Sequence, residues 1–333
     1  MNNGNGRIVI VTQEVDPHAD QMVLELKKRG LKPVRFHTKD FPLKAGLALR
    51  PGLEDGEELH LRVGDERLAG SEIRSIWFRR PDLPALTPDL SKEEERMALG
   101  ECQSTLFGFY RLTKAFWVNH PDKNKAANSK VAQLTLARQL GLRIPDTIIT
   151  NEPEEARAFY EKHAGDVIFK VQRQAMWSEE KALSFFTSKV TPAQAAKFEL
   201  IRQAPALLQE HVAKRVELRI TVIGARIFPA ALHSQDVEKA KIDWRKATGQ
   251  IRHEKYVLPS SVEKALRRMV DRFGLQYAAI DMIVTPAGEH VFLEINPNGQ
   301  FGWIDQLAGL PLYEAMADLL VAGKPDAKVL AAA

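Results

Sequence analysis

Two acids and an amide toward the end of the chain have the spacing of a cation site. Asp281 interrupts the apolar run Tyr277–Val284, and Glu294 and Asn296 lie two apart in the run 291–296. Both runs read as buried strands, and Pro286-Ala287-Gly288-Glu289 between them suits a hairpin loop. Strand side chains alternate between faces, so Glu294 and Asn296 point the same way. If Thr285 and His290 close the loop, Asp281 falls opposite Glu294 and three oxygen-bearing side chains meet on one face. Carboxylates forced together in an apolar sheet repel unless a cation neutralises them. With no His or Cys among the donors, magnesium is the matching ion, its shell usually completed by substrate phosphates. A hairpin whose acids face water fits the same residues, and the spacing alone leaves both readings open.

Cationic residues stand where an anion could use them. Lys170 ends the apolar stretch of the run 166–171. Burying that ammonium costs free energy unless an anion such as a phosphate oxygen meets it; an edge strand in water avoids the cost. Arg79 and Arg80 follow the run 73–78 and would receive a carboxylate or phosphate, with solvated surface charge the simpler expectation. The run 216–222 alternates strictly, with Val216, Leu218, Ile220 and Val222 on one face and Glu217, Arg219 and Thr221 on the other. No Cys/His or Ser/His grouping offers a covalent nucleophile, and His120 has no second ligand at metal spacing.

The elements that must position these residues follow from periodicity and turn chemistry. Residues 7–12 read as a strand, 16–29 as a helix stopped by Gly30, and 33–37 as a strand, a βαβ unit that implies a parallel sheet. The loop 13–18 lacks glycine, which excludes a dinucleotide turn. A polar hairpin over 54–68 and the strand 73–78 precede a long helix opened by the capping box Ser91-x-x-Glu94. Residues 116–121 read as a strand and turn. Then come a helix over 129–139, a strand over 145–150, a helix capped by Asn151, the strand 166–171 and a hairpin over 172–190 around Ser178-Glu179-Glu180-Lys181. After a short helix at Thr191-Pro192 lie strands at 206–212, 216–222 and 226–231 and a polar loop carrying Asp243-Trp244-Arg245. A helix over 260–273, capped by Ser260-x-x-Glu263, and a closing helix over 311–322 flank the hairpin described first. The expected units are an α/β domain over 1–120, an α+β subdomain over 121–205 and an antiparallel sheet over 206–333.

The 333 residues suffice for two or three domains, and a net charge of +4 with no like-charge run gives no argument for nucleic acid. One cysteine, Cys102, excludes internal disulfides and fits a reducing compartment. Residues 1–6 read as a disordered tail, with no signal peptide and no apolar run of membrane-spanning length. A cytoplasmic protein without membrane or nucleic-acid partners is the expectation.

Phe169-Lys170, Gln209-Glu210-His211-Val212, Glu217-Leu218-Arg219, Asp281 and Glu294-Ile295-Asn296-Pro297 stand in the order found in ATP-grasp ligases. The chain resembles that superfamily over most of its length. Asn296-Pro297-Asn298-Gly299-Gln300 with Trp303, Asp243-Trp244-Arg245 and the opening Asp16-Pro17-His18-Ala19-Asp20 resemble its graspetide (microviridin-type) maturases, which close ω-ester or ω-amide rings in ribosomal peptides. Trp77-Phe78-Arg79-Arg80-Pro81 is similar to their pre-ATP-grasp domain. The resemblance implies an ATP-grasp fold: an N-terminal parallel-sheet pre-ATP-grasp domain, a central α+β domain and a C-terminal antiparallel-sheet domain. It implies that Lys130 and Lys170 hold ATP phosphates, that the backbone of Gln209, Glu210, His211 and Val212 reads adenine, and that Glu217 binds ribose. Arg219 would sit near the transferred phosphate and Asp281, Glu294 and Asn296 would hold Mg2+. Asp243 and Arg245 would lie near the acceptor peptide, with Arg79 and Arg80 as further substrate contacts; Arg219, Lys170 and Arg245 would be catalytic. The partners implied are a precursor peptide with a leader and an Asp/Glu and Ser/Thr/Lys core, and a second copy of the chain.

Two departures stand out. Lys170 is followed by Val171-Gln172-Arg173-Gln174-Ala175-Met176-Trp177, without the glycines of many ATP-grasp phosphate loops, and Met176 and Trp177 would cover the nucleotide, pack on substrate or simply pack in the hairpin. Phe301 and Gly302 stand where relatives carry bulkier residues. The implied reaction activates an Asp or Glu side chain as an acyl phosphate, under a water-excluding lid expected over 172–190. The same motifs serve a ligase that adds glutamate or another amino acid to a protein or small molecule, and a non-catalytic peptide binder would retain the scaffold. Mass loss as water from one peptide, mass gain, or no turnover separates the three.

Overall fold

The computed structural model describes residues 6–52, 59–172, 175–177, 182–184 and 186–325, with backbone alone at 175–177 and 182–184. The residues 1–5, the start of the hairpin expected over 54–68, and Ser178 to Lys181 of the expected lid lie outside them, as do the side chains of Met176 and Trp177.

The strand Arg7–Thr12 pairs in parallel with Val34–His37 and Ile73–Phe78, and the latter with Phe116–Val118. Because helices cover both faces, the strand is apolar throughout rather than alternating. Val9 and Val11 pack with Phe36, Leu106 and Phe109 on one side. Ile8 and Ile10 pack on the other with Met22 and Leu26 and with the far C-terminal helix Leu312–Ala322. Helix Pro17–Lys28 begins where Asp16 accepts the His18 N–H at 3.1 Å, and Pro17 occupies the first turn. Helix Lys92–Leu112 runs unbroken through Gly100 and Gly108, opened by the expected Ser91/Glu94 box. The hairpin expected over 54–68 is Leu59–Val63 and Glu66–Ala69, extended to three strands by Ala45–Leu49.

The central sheet orders Ser188–Lys189, Val167–Lys170, Ala206–Glu210 and Thr147–Thr150, all antiparallel. Helix Pro153–Lys162 has Glu152, not Asn151, at its cap, and no side chain closes it. The backbone strands Ala175–Trp177 and Ala182–Ser184 pair as the expected hairpin.

Five antiparallel strands form the C-terminal sheet, ordered His253–Lys255, Arg226–Leu232, Val216–Ile223, Tyr277–Val284 and His290–Asn296. Leu218, Ile220, Ile280, Met282 and Ile295 meet helix Ser260–Phe273 through Leu266 and Met269. That helix ends at Gly274, whose φ of +66° suits the left-handed cap. Pro259 precedes its first turn, and the expected Ser260 box is absent because Ser260 is already helical. Helices Pro121–Ala127 and Lys130–Gln139, whose residues the expected 121–205 unit takes in, pack here: Ala127, Leu134 and Ala137 join this core, and Gln133 exchanges hydrogen bonds with the Ile295 backbone at 2.9 and 3.1 Å.

The hairpin reaches the expected Asp281–Glu294 pairing by an unexpected route. Its loop closes with the Thr285 N–H donating to the Glu289 carbonyl, and Val284 pairs with His290, one residue tighter than anticipated. A bulge at Leu293, between the pairs Met282–Phe292 and Asp281–Glu294, restores the register. Without it Asp281 would face Leu293, and Glu294 would turn into the apolar core with Ile280.

Candidate active site

The second face of the Val216–Ile223 strand is buried too: Ile223 packs with the helix Leu312–Ala322, while Glu217 and Arg219 line a cleft shared with the central sheet. Between the two sheets lies a cleft of about 520 Å³, lined from above by Lys170, Gln209 and Val212 and from below by Glu217, Arg219, Asp281, Glu294 and Asn296.

Three side chains form a row across neighbouring strands, since Arg219 pairs with Asp281 and Asp281 with Glu294. Arg219 Nη1 donates to both Asp281 carboxylate oxygens at 2.9 Å. Asn296 Nδ2 donates to Glu294 Oε1 at 2.9 Å and Asp281 Oδ2 at 3.1 Å. Lys130, on the first turn of its helix, reaches Glu294 Oε2 at 2.5 Å. Burial foremost, and the charge of Glu294, push the Asp281 carboxyl up to about 6 against the pull of Arg219. Burial would raise Glu294 as well, but Lys130 and Lys170 outweigh it and hold this carboxyl below its usual range. The two acids therefore sit on opposite sides of their ordinary values because their cationic neighbours differ. Among the described residues no group of three or more His, Cys, Asp or Glu side chains could hold a metal; the donor set is two carboxylates and one amide.

Lys170 enters from the central strand and has no hydrogen-bond partner among the described residues. Burial, then the nearby ammoniums of Lys130 and Lys214, lower its pKa, while Glu294 and Asp281 oppose them. Such a lysine is stabilised by any anion entering the cleft.

At the Gln209 end, Gln209 Nε2 donates to Thr147 Oγ1 at 2.9 Å, and its buried Oε1 has no donor among the described residues. The N–H groups of Glu210 and His211 are engaged by the Asp146 and Asp166 carbonyls. Val212 makes no backbone hydrogen bond among the described residues, so its polar groups remain open to a ligand. Glu217 is paired at 2.9 Å with Lys214, which also donates to the Ile242 carbonyl at 3.1 Å. Lys214 escaped the sequence reading because only the fold brings the linker lysine over the Glu217 face.

Arg79 is corrected, whereas Asp243 lines the cleft with its carboxylate engaged inside the protein. Asp243 is 5 % exposed and fully committed: it accepts the Thr187 N–H at 2.9 Å, the Arg245 N–H at 3.1 Å and two Arg245 guanidinium bonds at 2.8 and 2.5 Å. It anchors Arg245, which lines the cleft with its guanidinium 5.5 Å from the centre of the Phe186 ring. Arg79 is 2 % exposed, neither surface charge nor a cleft residue, because Asp16 compensates it at 3.8 Å and the Asn298 carbonyl accepts from Nη1 at 3.0 Å. Arg80 does line the cleft. Trp244 and Trp303 lie 4.7 Å apart beside it, and Phe301 is wholly buried against Tyr313 at 4.9 Å. Gly302 is small because a Cβ there would collide with the Tyr313 hydroxyl.

Two sheets closing on a cleft lined by lysines, acids and an arginine define an ATP-grasp ligase, and comparison with known proteins agrees. Residues 7–125 match the model of the MvdD pre-ATP-grasp domain. Macrocyclase MdnC of Microcystis aeruginosa MRC, solved with precursor peptide MdnA, is 34% identical over 95% of this chain and 100% of its own, with a TM-score of 0.84. A Chryseobacterium gregarium RiPP-associated ATP-grasp ligase, solved with ADP and a leader and core peptide, is 31% identical over 96% and 98%, with a TM-score of 0.86. Macrocyclase MdnB of Microcystis aeruginosa MRC is 31% identical over 96% and 100%, with a TM-score of 0.79. No curated protein matches. The chain belongs to the RiPP-associated ATP-grasp ligases, the graspetide-type family of ATP-dependent ligases.

Proposed function

We propose that the protein uses ATP to join an Asp or Glu side chain of a ribosomal precursor peptide to a hydroxyl or amine of the same peptide, closing an ω-ester or ω-amide ring. The observation that carries this is the row Arg219, Asp281, Glu294 facing Lys170, whose ammonium has no hydrogen-bond partner among the described residues, across one cleft, in a chain of this family. The relatives solved with precursor, leader and core peptides support the peptide as substrate.

The nucleotide fits the residues present. The open polar groups of Val212 and the donorless Gln209 Oε1 suit adenine, Glu217 suits the ribose hydroxyls, and Lys170 with Lys130 suits the phosphates. Magnesium fits Asp281, Glu294 and Asn296, whose side chains converge on one face with hard oxygen donors available. When bound, the ion supplies neutralisation of the charge on the transferring phosphoryl group. Arg219 and Lys170 add fixed positive charge at the same place and are catalytic in that sense. Arg245 and Arg80 hold the substrate carboxylate, with Arg245 kept in place by Asp243.

A carboxylate oxygen of the peptide attacks the γ-phosphorus, the bond to the β-phosphate oxygen breaks, and ADP leaves. The acceptor hydroxyl or amine then attacks the acyl carbon and loses its proton while phosphate departs. Incubation with ATP, magnesium and a precursor carrying Asp/Glu and Ser/Thr/Lys should release one ADP and one phosphate per ring, and the peptide should lose the mass of one water for each. Mass gain on the peptide would favour an amino-acid ligase, and ADP release without any mass change would overturn the reading.

A further inference from the structure

The motif Asp16-Pro17-His18 is absorbed by none of the roles above, yet it ties the N-terminal domain to the cleft. Backbone carbonyls of the loop after Asn296 are gripped in turn by side chains from elsewhere. Asn119 donates to Pro297 at 2.9 Å, Arg79 to Asn298 at 3.0 Å, Tyr277 to Gly299 at 2.7 Å and Arg219 to Gln300 at 2.8 Å. The next two residues present N–H groups instead, and both point at one atom: His18 Nε2 lies 3.1 Å from the Phe301 nitrogen and 3.0 Å from that of Gly302. A ring nitrogen that receives two N–H groups must carry its lone pair, so the proton is on Nδ1 and the imidazole is neutral.

The surroundings enforce both the position and the state. Asp16 accepts the His18 N–H and starts its helix, which fixes the residue on the first turn. The ring stands edge-on to Phe301 at 5.2 Å and near Tyr313 at 6.2 Å. The charged groups facing it are Arg79, Arg80 and Asp16. Burial, then Arg79 and Arg80, bring its pKa down to about 4 against the pull of Asp16.

We propose that His18 is a positioning residue whose Nε2 sets the turn at Phe301 and Gly302 and thereby the cleft wall of Gln300 and Trp303. That this wall meets the peptide rests on the function proposed above. Gln209, Val212 and Glu217, the residues proposed for adenine and ribose, touch none of this turn, and Arg219, which holds the Gln300 carbonyl at 2.8 Å, is proposed to act at the transferred phosphate and not on ADP, so the consequence falls on peptide recognition.

The test compares His18→Leu, which keeps apolar volume without an acceptor, with His18→Gln, which restores an acceptor oxygen. In His18→Leu, hydrogen exchange at the Phe301 and Gly302 amides and the KM for precursor should each rise roughly tenfold, the factor expected from losing two hydrogen bonds. ADP affinity should not change, and His18→Gln should recover most of both losses. Equal effects of the two substitutions, unchanged exchange in His18→Leu, or a parallel loss of ADP binding would overturn the assignment. Imidazole nitrogen NMR of the unaltered protein decides the case even if both variants misfold: an Nδ1–H neutral ring at pH 6 supports it, an imidazolium defeats it. Exchange and NMR need no substrate, so they stand or fall separately from the peptide reaction.

Discussion

Arg219 and Asp281 face each other on adjacent strands, and one guanidinium nitrogen donates to both carboxylate oxygens at 2.9 Å while the other holds the Gln300 carbonyl. One side chain thus links the proposed magnesium ligand to the loop that walls the cleft. Asp281→Asn keeps the shape and removes the charge. Peptide-dependent ADP release should fall at least about a hundredfold, as for other losses of electrostatic stabilisation at a reacting centre. Circular dichroism should report an intact fold. Turnover near the parent level in a folded variant would sink the magnesium assignment.

Gly299 lies where the backbone passes closest to that pair. A Cβ added there would stand 2.5 Å from Ala279 Cβ and 2.8 Å from Arg219 Nη2. Gly299→Ala should cost about 1–3 kcal/mol by overpacking and displace Arg219, lowering the melting temperature and turnover together. A variant that melts like the parent would show that the loop yields without cost.

Glu217 is buried with Lys214 and is the acid offered to the ribose. Glu217→Gln should weaken ADP binding about tenfold or more, the loss expected of a charge-assisted hydrogen bond, measured by calorimetry. Precursor binding without nucleotide should be unaffected. Unchanged ADP affinity would remove Glu217 from the nucleotide site.

His18 also gives a pH signature. Its folded pKa is lowered from 6.5 to about 4, so between these values the unfolded chain binds the extra proton. Stability from this residue is complete above about pH 6.5 and is lost as pH falls toward 4, by at most about 3 kcal/mol. The urea midpoint of the parent should fall relative to that of His18→Gln as pH drops across that window. A difference independent of pH would contradict a neutral buried ring.

Much of this was legible because local pattern and global fold agree. The strand Arg7–Thr12 carries the continuous apolar run Ile8 to Val11, and the alternation over 216–222 put Glu217 and Arg219 on one face before any contact was known. What covers that face was not legible, since alternation reports sidedness and not what lies over the polar side. Arg79 was misjudged because its counter-charge, Asp16, lies far away in sequence. Helices Pro121–Ala127 and Gly302–Ala308 were missed since seven residues make too little periodicity, although His120 and Pro121 in fact open the first as cap and first-turn residue. The roles of the cleft residues rested on family motifs, because each is an ordinary residue until strands bring it opposite another.

The bulge at Leu293 separates two things that hairpins usually bind together. Which side of the sheet Glu294 faces is decided beyond the bulge, while the turn at Pro286 to Gly288 lies five residues or more away and closes on its own bond between Thr285 and Glu289. The turn is therefore a permissive point: a peptide tag or a new pair of chain ends placed there would alter the hairpin tip and leave the row of Arg219, Asp281 and Glu294 undisturbed. The same reasoning says what Leu293 is for. Deleting that single residue would place Glu294 directly after Phe292 and leave it opposite Asp281 in an unbroken ladder, so the bulge only takes up the one residue by which the strand exceeds its tight turn.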